Sequence, residues 1–157
     1  MKILVCISNV PDTTSKINFK NNDTEFDSSG IQYIINPNDE FGLTRAVWFQ
    51  QKDDSDITVL TVGDSSCEPI LRKCLAIGAN RAVRINSKPT DAFQVAYEIA
   101  GFCKKEKFDL IITGRESIDY NGGMVGGLLS EILDYNYVTN CIDLKINNNI
   151  AHTSREI

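Results

Sequence analysis

One histidine, one tryptophan, two methionines and four prolines stand in 157 residues. No apolar run approaches the roughly 18 residues that a membrane-spanning helix needs, so no membrane span is expected. The single histidine, His152, lies in polar sequence near the chain end, which leaves no Ser-His or Cys-His pair for nucleophilic catalysis. Cations are the minority charge: 16 Lys and Arg against 21 Asp and Glu give −5, which argues against a nucleic-acid partner. Lys104, Lys105 and Lys107 form the one dense basic group, and Glu106 interrupts it, as on a solvated helix end. There is no GxxxxGK[ST], no GxGxxG and no GxSxG.

Five cysteines, Cys6, Cys67, Cys74, Cys103 and Cys141, include no CxxC pair. An odd, scattered set suits free thiols packed in the core of a cytoplasmic protein. Cys67 and Cys74 are spaced to share one helix face. Residues 1–8 combine a charge with a short apolar run but lack a small-residue cleavage site, so they read as a strand and not a signal peptide.

What is present is a globular composition, 42% hydrophobic and 24% charged, of a length that fills one domain with its own core. Short apolar runs alternate with helical patterns. Ile3–Ile7, Ile57–Val62, Ala82–Ile85 and Leu110–Ile112 have the continuous apolar character of parallel strands covered on both faces. Four helices intervene. Asn36-Pro37-Asn38-Asp39 supplies an N-cap, a proline at the first helical position and an acid at the positive helix end. Ser65-Ser66-Cys67-Glu68 fits a capping box, with Gly78 closing that helix. Thr90 caps a third, with Ala92, Ala96, Ile99 and Cys103 as its stripe. Val125, Leu128, Leu129, Ile132 and Leu133 face inward on the fourth. The alternation predicts an α/β three-layer sandwich around a mainly parallel sheet, Rossmann-like in its connections. Residues 11–35 are expected as a loop or small hairpin inserted after the first strand. Residues 137–157 read as extended pieces turning at Asn147-Asn148-Asn149, ending as though the chain were cut there.

The stretch TGRESIDYNGGMVGGLLSEIL, residues 113–133, holds five of the ten glycines, directly between the fourth strand and the fourth helix. In an open α/β sheet, ligands bind beyond the carboxyl ends of the strands, against helix N-termini that favour phosphate. The alternative is a flexible turn whose glycines supply positive φ. Cys6–Asn9, Val62-Gly63-Asp64 and Asn36–Asp39 reach the same edge. Glu116 and Asp119 form a carboxylate pair, but nothing opposes them with a nucleophile or metal, so solvated loop acids are the reading. This is a binding constellation without a catalytic one, and no enzyme activity is expected.

KILVCISNVPDT (2–13), INPNDEFGLTRAV (35–47), LAIGANRAVRI (75–85) and DLIITGRESID (109–119) together resemble the beta subunit of electron-transfer flavoproteins. The resemblance runs in order along the whole chain. It implies an adenine-nucleotide-hydrolase-like fold without hydrolase activity, paired with an alpha subunit that holds most of a redox FAD. It also implies electron flow from acyl-CoA-type dehydrogenases to a respiratory or ferredoxin-linked acceptor. A structural AMP, or a second FAD in electron-bifurcating members, would be buried in this subunit. Carried over by position, the nucleotide contacts fall on Cys6, on Asn36, Pro37, Asn38 and Asp39, and on Val62. They continue along the loop Gly114, Arg115, Glu116, Ser117, Ile118, Asp119, Tyr120, Asn121, Gly122, Gly123, Met124, Val125, Gly126 and Gly127. Asn38 stands where the family often has an aromatic, Glu116 where it often has glutamine, and Leu129 where some members offer a hydroxyl. Family members also continue past the equivalent of Ile157, through partner-docking regions. A universal-stress-type ATP-binding module is the rival, but it usually carries Ser or Thr where Leu128 and Leu129 stand. An adenylating enzyme would need a pyrophosphate loop that Ser8–Asp12 does not provide.

Overall fold

The computed structural model describes all 157 residues. In chain order the elements are β1 (Lys2–Cys6), β2 (Asn9–Pro11), β3 (Phe19–Lys20), β4 (Glu25–Phe26), β5 (Tyr33–Ile35) and α1 (Pro37–Asp53). There follow β6 (Asp56–Val62), a 3₁₀ turn (Ser65–Cys67), α2 (Glu68–Ile77), β7 (Arg81–Ile85) and α3 (Ala92–Lys105). The chain closes with β8 (Leu110–Ile112), α4 (Val125–Leu133), β9 (Cys141–Asn147) and β10 (Ile150–Arg155).

The four apolar runs form one parallel sheet in the order β7-β6-β1-β8. Three strands begin one residue earlier than the apolar runs, at Lys2, Asp56 and Arg81, because a charged residue at the sheet rim still pairs through its backbone. Strand alternation divides β1 between two cores. Ile3 and Val5 point into one built with Leu43, Phe49, Ile57 and Ile70, under α1 and α2. Leu4 and Cys6 point into the other, with Leu60, Ala96, Ile99, Phe108 and Leu129, under α3 and α4. Burial on both faces explains why the strands lack a polar alternation. Each buried Ile or Leu contributes about 1.5–3 kcal/mol. The three-layer α/β sandwich expected from the alternation is present. No helix is long and apolar enough to cross a membrane.

The helix starts differ in detail. Asn36 occupies the N-cap of α1 but makes no side-chain cap bond. Ser65–Cys67 is a separate 3₁₀ turn and not a capping box, because Asp64 accepts the Ser66 amide at 2.8 Å and holds the turn tight. Asp91, not Thr90, caps α3, its carboxylate accepting from Gln94 N at 2.8 Å. Gly78 ends α2 at φ 143°, a backbone only glycine adopts without strain.

The insertion after β1 contains two small antiparallel pairs, β2 with β5 and β3 with β4. Near the end, β9 and β10 form a hairpin turning at Asn148 and Asn149, both in the left-handed region. Leu144 and Ile146 press it onto the first core. Arg45 of α1 pins it, bonding the Leu144 carbonyl and pairing with Asp143 at 3.3 Å. The same guanidinium lies 5.3 Å from the Trp48 and Phe49 ring centres.

Candidate functional site

The chain lays down β1, β6 and β7 in one direction across the sheet, then returns over β1 to place β8 on its other side. That reversal between β1 and β8 is the switch point at which open α/β sheets bind ligands. A cleft of about 600 Å³ opens there. Its walls come from the segments after β1 (Cys6–Val10), β6 (Gly63, Asp64), β7 (Asn86–Pro89) and β8 (Thr113 onward), with Ala92, Val95 and Ile99 of α3.

The glycine loop is rooted by α1. Asn36 is 1% exposed; its Nδ2 donates to the Glu116 carbonyl at 2.9 Å, and its Oδ1 accepts from Ile118 N at 3.3 Å. Asn38 Nδ2 donates to the same Glu116 carbonyl, also at 2.9 Å. This explains the missing cap: Asn36 spends its side chain on the loop. Asp39, the expected dipole-facing acid, is buried and accepts from Ser8 N at 2.7 Å and Gly114 N at 3.0 Å. Burial outweighs those bonds and raises its pKa to about 6. Farther out the loop bonds to itself, Ser117 N donating to Gly122 O at 3.0 Å and Asn121 N to Ser117 O at 2.9 Å.

None of the five loop glycines has a positive φ, so the flexible-turn reading of them is corrected. Asn121, at φ 57°, makes the left-handed step. The glycines relieve crowding instead. A Cβ on Gly114 would strike the Asp39 carboxylate, and one on Gly122 the Tyr120 ring. At Gly126 it would lie 2.7 Å from Thr113 Oγ1, and at Gly123 3.1 Å from the Arg115 carbonyl. Gly127 alone has ordinary room, its nearest neighbour being Tyr137 at 3.6 Å.

Of the residues singled out in the sequence, Cys6, Asp39, Val62, Gly114, Glu116, Ser117, Asp119, Tyr120, Gly122, Gly123, Val125 and Gly126 line the cleft. Asn36, Pro37 and Asn38 stand behind the loop, and Ile118, Asn121, Met124 and Gly127 lie outside the lining. Arg115 turns away to Glu156, 3.6 Å distant. Sequence reasoning missed Tyr33, Ser66 and the segment Asn86–Pro89. The last was findable, since it follows a strand at the same carboxyl edge as the others.

Two polar atoms are buried without a partner, Asn9 Oδ1 and Ser117 Oγ, and both residues belong to the cleft wall. A buried hydroxyl without a partner carries an uncompensated desolvation cost of about 1–3 kcal/mol. The Cys6 thiol is driven far up by burial, reinforced by Cys103 and Asp39, so it stays protonated and inert. Four of the five cysteines are buried; Cys141 is exposed at the start of β9, where its neighbour Ile142 is exposed too. No three His, Cys, Asp or Glu side chains converge on a point that would hold a metal.

Fold and cleft together define a Rossmann-like α/β domain with an open cleft at its switch point. The family model for the electron transfer flavoprotein domain matches residues 23–157, and the chain belongs to that family. It is similar to "Electron transfer flavoprotein subunit beta" of Bacillus subtilis, 32% identical over 100% of this chain and 62% of the relative. "Caffeyl-CoA reductase-Etf complex subunit CarD" of Acetobacterium woodii is 31% identical over 100% of this chain and 62% of its own length. "Protein FixA" of Azotobacter vinelandii is 31% identical over 92% of this chain and 54% of its own. The chain thus spans less than two thirds of the relatives it matches. None of these relatives supports the universal-stress-type alternative.

Proposed function

We propose that this chain is a beta-type subunit of an electron-transfer flavoprotein, a single nucleotide-binding domain that scaffolds electron transfer without catalytic residues of its own. In this reading the cleft holds AMP, or the adenylyl half of a second FAD. An alpha subunit contributes most of the site for the redox FAD, whose flavin supplies the electron chemistry. The complete heterodimer would take electrons from acyl-CoA-type dehydrogenases and pass them to a respiratory or ferredoxin-linked acceptor. A reducing cytoplasm is the proposed setting, supported by five free thiols.

The observation that carries the nucleotide reading is Ser117. Its hydroxyl is buried with no partner in a cleft wall at the switch point, on the loop that leads from β8 into α4. A phosphate or ribose oxygen there would compensate it. The cleft, of about 600 Å³, also lies within the roughly 300–1,000 Å³ range of small-molecule sites, which supports the reading.

Thermal and urea melts with and without AMP test this on the wild-type chain and Ser117→Ala. AMP at a hundredfold excess over its Kd should stabilise the wild type by about 2.7 kcal/mol. Ser117→Ala should be about 1–3 kcal/mol more stable without ligand, having lost an unsatisfied group, and should bind AMP more weakly. Absence of any AMP or FAD effect on the wild type would defeat the reading.

A further inference from the structure

The charges around the cleft are unequal. Its wall carries four carboxylates, Asp39, Asp64, Glu116 and Asp119, and one cationic side chain, Lys88. The two nearby arginines are engaged elsewhere. Arg84 bonds the Gly63 carbonyl and Asn86 and sits 3.7 Å from Glu68, while Arg115 faces Glu156. Lys88 forms no ion pair. The wall is therefore net acidic, which disfavours an anion. The amides at a helix start offset only about half an elementary charge. Lys88 supplies the one full positive charge in the cleft wall.

The loop that carries Lys88 is braced. Gln94 of α3 donates through Nε2 to Ser87 Oγ at 2.8 Å and accepts the Thr90 amide at 3.2 Å. Ser87 N also donates to the Ile85 carbonyl at 2.9 Å. One glutamine therefore brackets Lys88-Pro89 on both sides, and proline fixes φ at the next position. The backbone is held on both sides of Lys88, while its ammonium keeps the freedom of a flexible four-carbon chain.

We propose that Lys88 is the specificity-determining residue of this cleft: it pairs with the ligand's phosphate and thereby selects a phosphorylated nucleotide over the corresponding nucleoside. This rests on reading the cleft as a nucleotide site. Discrimination here is by charge, because Lys88 is the one cation in a wall that otherwise carries acidic side chains.

Isothermal titration of AMP and of adenosine into the wild type, Lys88→Gln and Lys88→Arg decides it. Lys88→Gln should weaken AMP about tenfold and leave adenosine within about twofold. Lys88→Arg should retain AMP within about threefold, since the charge survives even though the geometry changes. Raising salt should weaken AMP binding in the wild type more than in Lys88→Gln. AMP affinity unchanged in Lys88→Gln would overturn the assignment, as would an equal loss of adenosine. A wild type that binds neither AMP, adenosine nor FAD would instead overturn the reading of the cleft, and this inference with it.

Discussion

Asp39 and Gly114 meet across the switch point: Oδ1 of the carboxylate accepts the glycine amide at 3.0 Å, while Oδ2 accepts Ser8 N at 2.7 Å. A single side chain on the first turn of α1 thus joins the ends of β1 and β8. The floor of the cleft depends on this join.

Gly114→Ala should break it. A methyl at 114 collides with Asp39 Oδ1 and comes within 3.0 Å of the Asp39 amide. Overpacking against fixed backbone costs about 1–3 kcal/mol, and that loss should appear in urea unfolding. A variant within about 0.5 kcal/mol of wild type would show that the join gives way easily.

Stability should depend on pH through Asp39. Its pKa rises from 3.8 in the unfolded chain to about 6 in the fold, because burial disfavours the charge. The folded state holds the proton more tightly, so this stabilising contribution is complete below pH 3.8 and is lost as pH rises through 6. The change is on the order of 3 kcal/mol. The exposed Asp12, Asp27, Asp64 and Asp143 shift the other way through hydrogen bonds and nearby cations, and they act at lower pH. Subtracting Asp39→Asn from wild type isolates the buried group: the fall between pH 4 and 6.5 should vanish in the variant. An identical pH profile in both proteins would refute the assignment.

Adjacent glycines of α4 should respond in opposite directions. Gly126→Ala presses on Thr113 Oγ1 and the Tyr137 hydroxyl, at 2.7 and 3.1 Å, and should destabilise. Gly127→Ala finds ordinary contact and gains helix propensity, so it should stabilise by about 0.5–1 kcal/mol. Paired melts that moved the same way would contradict this.

One thiol per chain should react quickly with a disulfide reagent under native conditions. Cys141 is exposed, whereas Cys6, Cys67, Cys74 and Cys103 are buried, with pKa values pushed up by burial, to about 12 at Cys74 and about 11 at Cys103. Cys141→Ser should abolish the fast phase. Rapid labelling of a second cysteine would mean that the cores open more readily than their packing implies.

The sheet was legible because its strands are covered on both faces, and short runs with little charge such as Ile3–Ile7 and Ile57–Val62, the latter broken only by the buried Thr58 and Thr61, suit a doubly covered strand better than a surface helix. The helix ends were less so. Asp64 and Asp91 won their caps because a carboxylate accepts an amide more strongly than the neighbouring hydroxyls of Ser65 and Thr90. Asn36 looked like a cap by position, but its partner is Glu116, 80 residues away, and local pattern holds no record of such a contact. The glycine loop could be located from spacing alone. The reason for its glycines could not, since the atoms that crowd them, on Asp39, Tyr120, Thr113 and Arg115, become neighbours only after folding.

That loop is fastened at its root and free at its tip. Asn36, Asn38 and Asp39 hold Gly114 to Ile118, while Tyr120 to Gly123 bond to nothing beyond the loop. Tyr120 can therefore be exchanged without disturbing the sheet beneath, whereas Asn121, Gly122 and Gly123 are held to their residue types by the loop's own backbone and crowding. The architecture thus rests on the root of the loop, while the side chain at position 120, at the mouth of the cleft, is left open to change at little cost to stability.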